Sequence, residues 1–238
     1  MADECLICGA PLKYLEADEN MQCSLCYKWE TSKTCCVNGH YVCSECHTKG
    51  MGAIMSICLR STSKNPIEIV QQMMDEPWCH MHGPEHHVMV GAALLAAYRN
   101  AGGDIDLETA LHEMMSRGKK VPGGTCGFWG ACGAGISTGM FVAIVTKSNP
   151  LAQKQWALSN EVTSQSLACI AEHGGPRCCK RDSFHAILSA IDFVAENLGV
   201  QLEKSNIICK YFPKNNQCLG ENCVFNPKAV KAKQINSR

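Results

Sequence analysis

The chain has 238 residues, 46% hydrophobic and 18% charged, the composition of a folded globular protein with room for one ordinary domain and a small one. Its 22 basic and 22 acidic residues cancel, so no overall positive field exists to hold a phosphate backbone, and nucleic acid is a disfavoured partner. The 18 cysteines and nine histidines are the outliers.

The start "MADECLICGA" lacks the basic and apolar regions of a secretory signal. No segment has the roughly 18 uninterrupted apolar residues of a membrane span, so the expected location is cytoplasmic. In a reducing compartment, paired cysteines mean metal or redox chemistry before structural disulfides.

Residues 1–50 read as a small zinc-binding domain. Cys5-x2-Cys8 and Cys23-x2-Cys26 are followed by "CCVNGHYVCSECH", which offers Cys35 or Cys36, His40, Cys43, Cys46 and His47. Each C-x2-C knuckle turns two thiolates toward one point, and two such pairs complete the tetrahedral set of a closed structural zinc site. Eight ligands fit two ions. One pairing is sequential: Cys5, Cys8, Cys23 and Cys26 on one metal, and Cys36, His40, Cys43 and Cys46 on the next. The other is crossed, first pair with third and second with fourth, as in RING-like modules; spacing does not choose between them. The segment "GHYVCSEC" resembles the second half of a treble-clef or RING-type finger. Seven acidic residues against four lysines in these 50 positions favour contact with protein over nucleic acid.

Residues 51–238 read as a second, all-α domain. Asn65-Pro66 is an N-cap with proline at the first helical position, and Ile67, Val70, Met73 and Met74 follow on one face. A helix starts at Pro84 and stops at Gly102-Gly103. Asp106 caps "LETALHEMMSR", ended by Gly118. The run "ISTGMFVAIV" is long enough for a buried helix. Asn149-Pro150 opens a stretch to about Ala171, and Asp182 caps "SFHAILSAIDFVAENL" before Gly199. The predicted fold is mainly α: a bundle of five to seven helices behind a zinc-ribbon or treble-clef-like amino-terminal domain. Lys228, Lys231, Lys233 and Arg238 fall in a terminus expected to be solvated and frayed.

Chemistry-bearing residues gather at the joints between these helices. In "CHMHGPEHH", His82 and His86 stand four apart across a helix start, a spacing at which both could meet one metal. "GGTCGFWGACGAGISTGM" places Cys126 and Cys132 among seven glycines, which let the backbone approach a ligand or another helix closely. In "GGPRCCKRDS", the adjacent Cys178 and Cys179 cannot easily serve one tetrahedral ion, and Arg177, Lys180 and Arg181 are expected to favour thiolate. Cys209-x8-Cys218-x4-Cys223 reads as a metal-wrapped tail, with zinc or an iron-sulfur cluster as the candidates.

The run from "GPEHHVMVGAALLAAYRNAGG" through "GGTCGFWGACGAGISTGM" to "GGPRCCKRDS" resembles the helical family named for its C-GCAxxG-C-C pattern, regarded as redox-active. Ala131-Cys132-Gly133 stands where that family has Gly-Cys-Ala, and histidines stand at its first cysteine. With "NGHYVCSECH" in front and "CLGENC" behind, the whole chain is similar to an uncharacterised Cys-rich family of anaerobic archaea and bacteria. That resemblance implies an anaerobic setting, where oxygen-sensitive clusters survive, and a protein partner such as a radical-SAM or methyl-transfer system.

The expected function is a metal-binding accessory, redox or sulfur-handling protein of anaerobic metabolism. It would carry zinc at the amino terminus and an iron-sulfur or other thiolate site among Cys126, Cys132, Cys178, Cys179, Cys209, Cys218 and Cys223. The alternative is a non-catalytic, zinc-dependent interaction module of a larger complex. No G-x-S-x-G, Walker A or H-E-x-x-H motif is present, so no catalytic residue is assigned.

Overall fold

The computed structural model describes residues 5, 10–24, 27–47 and 51–236. The described residues are mainly helical, with one small sheet near the amino terminus. Strands β1 (Leu12–Gln22) and β2 (Trp29–Cys36) pair antiparallel, in a register running from Leu12 opposite Cys36 to Gln22 opposite Trp29, with an irregularity between Tyr14 and Glu19. A lone two-stranded hairpin is marginal in water. The buried centre of this unit is correspondingly small: Cys23, Tyr41, Cys43 and Cys46, the last on the one-turn helix α1 (Ser44–His47).

The helices follow as α2 (Met51–Arg60), α3 (Pro66–Asp75), α4 (His86–Asn100), α5 (Leu107–Gly118), α6 (Thr125–Phe128), α7 (Gly133–Val145), α8 (Lys154–Glu172), α9 (Cys179–Leu198) and α10 (Pro227–Asn236). Helix α4 is the axis of the bundle. Every residue from His86 to Ala97 is buried, as a helix enclosed on all sides requires, and α2, α3, α5, α7 and α9 all pack on it. Small side chains permit this crowding. Gly91 donates its N–H to Ser137 Oγ at 2.9 Å, and a Cβ added there would sit 2.2 Å from Met114 Cε.

The expected caps at α3 and α5 are present. Asn65 Oδ1 accepts the Ile67 N–H at 3.0 Å, and Asp106 Oδ1 accepts the Thr109 N–H at 2.8 Å. Two predicted starts are displaced. Asn149 Oδ1 accepts the Leu151 N–H at 2.9 Å, which makes a turn, and α8 begins only at Lys154. Helix α9 begins a turn before Asp182, whose buried carboxylate instead accepts from Cys178 N–H and Arg181 Nε. Helix α2, which has no cap signal in the sequence, sends Ile54 and Cys58 into the core. The tail expected to fray forms α10.

Candidate metal and thiol sites

The hairpin register brings the amino-terminal ligands together in crossed pairs. Leu12 opposite Cys36 places that cysteine beside the start of β1, where Cys5 N–H bonds Ala10 O and Val37 N–H bonds Pro11 O. Cys5, Cys36 and His40 then each offer a ligand atom, all within 4.8 Å of one another. At the other end of β1, Cys23 bridges to Tyr41, just ahead of α1, and Cys23, Cys43 and Cys46 form a second such group. Backbone N–H groups support the sulfurs: Asn38 donates to Cys36 Sγ and Cys43 to Cys23 Sγ, both at 3.3 Å. The sequential pairing is not the one the chain adopts. Cys8 and Cys26, the remaining knuckle residues, lie outside the described residues.

A cavity of about 960 Å³ separates this unit from the helical body. Across it, Tyr14 accepts a hydrogen bond from Arg177 and lies against Phe128, while Lys33 Nζ stands 5.3 Å from the Phe128 ring centre. Cys126, Cys132 and Cys179 line the body side of the cavity with Arg177 and Asp182. Nearby backbone N–H groups pull these thiols toward thiolate: those of Ala134 and Gly135 at the head of α7 act on Cys132, Gly127 on Cys126, and Gly83 on Cys179. Burial nonetheless pushes Cys132 up to about 12, and Asp182 adds to the rise.

The electropositive setting expected for Cys178 and Cys179 does not make thiolates of them. Burial outweighs the arginines, pushing Cys178 up to about 11 and Cys179 well above its ordinary value. The cations are also committed elsewhere. Lys180, 2% exposed, donates to Cys79 Sγ at 2.9 Å, and Arg181 donates to Gly174 O, Pro176 O and Asp182.

The two adjacent cysteines part company. Cys179 faces the large cavity, whereas Cys178 joins Cys209, Cys218 and Cys223 around a separate void of about 20 Å³ walled by Met81, Phe184, Phe212 and Phe225. Donors again converge on sulfur there. Asn215 Nδ2 donates to Cys178 Sγ at 3.5 Å and the Gly220 N–H to Cys218 Sγ at 3.3 Å. No three of these four sulfurs draw within 4.8 Å of one another, unlike the amino-terminal groups.

A fourth cluster occupies the approach to α4. Glu85 is 1% exposed; its Oε1 accepts the His80 N–H at 2.9 Å and lies 3.3 Å from His80 Nδ1. Cys79, Glu85 and His86 form one group of converging ligand atoms, and His47, His80 and Glu85 form another. His86 Nδ1 lies 3.0 Å from Gly83 O, which leaves Nε2 at 3.9 Å from Cys79 Sγ. Burial drives His86 down to about 3, so the ring is neutral. Burial also opposes the charge on Glu85, but the hydrogen bond from His80 prevails and holds its carboxyl below the usual carboxylate range. His82 does not join either group; its Nε2 faces Asn215 Oδ1 at 3.3 Å. No spacing rule singles out Glu85, and the sequence offers His47 only as an amino-terminal ligand, so only tertiary contact brings the two together.

Fold and sites together define a mainly helical, cysteine-rich chain with Cys/His groups able to hold a metal ion. No helix among the described residues is long and apolar enough to cross a membrane. The chain belongs to a family of unknown function, DUF5714, whose model matches residues 54–226, in keeping with the resemblance to an uncharacterised family. It matches no curated protein and no solved structure. The matched span contains the four-cysteine void and leaves out the amino-terminal unit and α10.

Proposed function

We propose that this chain is an iron-sulfur redox or sulfur-handling accessory protein of anaerobic metabolism, with residues 1–50 as a zinc-stabilised module on a helical domain of residues 51–238. The observation that carries the reading is the enclosure of Cys178, Cys209, Cys218 and Cys223 around one apolar void, with an amide and a backbone donor on the sulfurs of Cys178 and Cys218. Four thiolates are the usual ligand set of such a cluster, and hydrogen bonds to sulfur tune its potential. A single zinc with bonds of about 2.3 Å draws its sulfurs close together. No three of the four sulfurs draw that close here, so a single zinc is the poorer fit. When bound, such a cluster supplies one-electron transfer.

Cys178 and Cys179 give this arrangement a direction. Neighbours in sequence at the head of α9, they serve the closed four-cysteine void and the open three-cysteine wall respectively. Cys126, Cys132 and Cys179 would then hold a thiol- or metal-dependent site within reach of substrate, next to the closed one. In the amino-terminal unit, Cys5, Cys8, Cys36 and His40 would hold one zinc and Cys23, Cys26, Cys43 and Cys46 another. The partner is a protein, such as a radical-SAM or methyl-transfer enzyme; the exposed Tyr27, Trp29 and Trp129 offer it apolar area.

The test is anaerobic purification followed by measurement of zinc, iron and acid-labile sulfide and an absorption spectrum. Iron and sulfide in the wild-type chain that disappear in Cys218→Ser, with zinc retained, support the reading. Zinc alone refutes it and leaves the structural interaction module, the reading that the exposed aromatics favour.

A further inference from the structure

We propose that His47, His80 and Glu85 form a separate mononuclear site for a divalent first-row metal, Zn²⁺ or Fe²⁺, at the seam between the amino-terminal unit and the mouth of α4. One atom from each of the three residues lies within 4.8 Å of the others. Two of the three side chains carry buried polar atoms with no hydrogen-bond partner: Nδ1 of His47 and Oε2 of Glu85. A buried carboxylate oxygen without a donor is costly, and so is an imidazole nitrogen in the same state. The two residues that carry them meet although one ends α1 and the other precedes α4. A cation bound by the two side chains would give these atoms the partner they lack.

The third ligand is already positioned. His80 holds Glu85 Oε1 through its backbone N–H at 2.9 Å, and its ring meets the His47 ring edge-on with centroids 5.3 Å apart. Two imidazoles and one carboxylate suit zinc or non-haem iron, and three protein ligands leave a coordination position open. His47 lines the cavity of about 960 Å³, so that position has access to a bound molecule. The neighbouring Cys79, Glu85 and His86 group is the weaker candidate for the same ion, because Lys180 Nζ already donates to Cys79 Sγ at 2.9 Å.

This site contains no thiolate, and its ligands include none of the paired cysteines and none of the four around the smaller void. Its test uses the full chain, isolated anaerobically, with zinc, iron and sulfide counted in wild type and in His47→Gln, His80→Gln, Glu85→Gln and Cys79→Ser. Each of the first three variants should lose one divalent ion per chain at unchanged sulfide, while Cys79→Ser loses none. Equal metal in wild type, His47→Gln and Glu85→Gln overturns the proposal. So does loss in Cys79→Ser with His47→Gln unaffected, which moves the ion to the neighbouring group. Should the variants not fold, wild type decides the matter. Treated with a mild chelator and titrated with Co²⁺, it should take up one ion with ligand-field bands and no sulfur charge-transfer band; uptake only with that band, or none, refutes the site. Absence of iron and sulfide would sink the cluster reading and leave this one standing.

Discussion

At the scale of single residues, the cysteines divide by what surrounds each sulfur. Cys58 is fully buried, is pushed up to about 12 by burial alone, and faces only the Ala92 carbonyl, so it is a packing residue. Cys43 is equally buried but shares its surroundings with Cys23 and Cys46. Cys58→Ala should therefore leave metal content unchanged, whereas Cys43→Ser should remove one ion per chain; elemental analysis of the two variants side by side checks the contrast. Glycine is equally specific. A Cβ on Gly139 would lie 2.0 Å from Thr163 Oγ1 and 3.0 Å from the Ser159 carbonyl, and the carbonyl cannot turn aside. Overpacking of this kind costs about 1–3 kcal/mol, so Gly139→Ala should lower the denaturant midpoint of the folded chain by a corresponding amount.

Among the elements, the predicted helices with a true side-chain cap start where expected, and α2, β1 and β2 were not legible in advance. Asn65, Pro66 and the buried stripe of α3 announce that helix, and Asp106 announces α5. Asn65→Ala should cost about 1 kcal/mol, read from equilibrium unfolding, because it removes the acceptor for the Ile67 N–H at a position only 2% exposed. Asn149 and Asp182 look like caps in the sequence and are not. A short polar side chain that bonds its own backbone serves a turn as well as a helix start, and local sequence does not say which. Strands β1 and β2 escaped notice for another reason. Strand β1 is largely exposed and β2 buries the adjacent Cys35 and Cys36 rather than alternate residues, so both lack the period-two signal.

For the whole molecule, the decisive fact is that the amino-terminal unit and the helical body keep separate buried clusters, the first built from three cysteines and a tyrosine and the second from helix faces. A unit that small depends on its metal, since binding free energy then serves as folding free energy. Chelation should accordingly expose residues 10–47 to protease while the helical body resists cleavage and keeps its far-ultraviolet signal. Limited proteolysis followed by mass measurement checks this, and simultaneous loss of both parts would show that the two are one folding unit.

Composition and spacing by themselves determined the class: a mainly helical chain, rich in cysteine, with paired ligands at its amino terminus. Local periodicity and ligand spacing are written in consecutive residues, so they survive without a fold. Which ligands meet was decided only by tertiary structure. The register of one hairpin selects the crossed pairs over the sequential ones. The start of α9 sends Cys178 and Cys179 to different cavities, and the docking of α1 beside α4 sets His47 against Glu85. Each of these outcomes depends on the distance between segments far apart in the chain, a quantity that packing sets and spacing along the sequence does not carry.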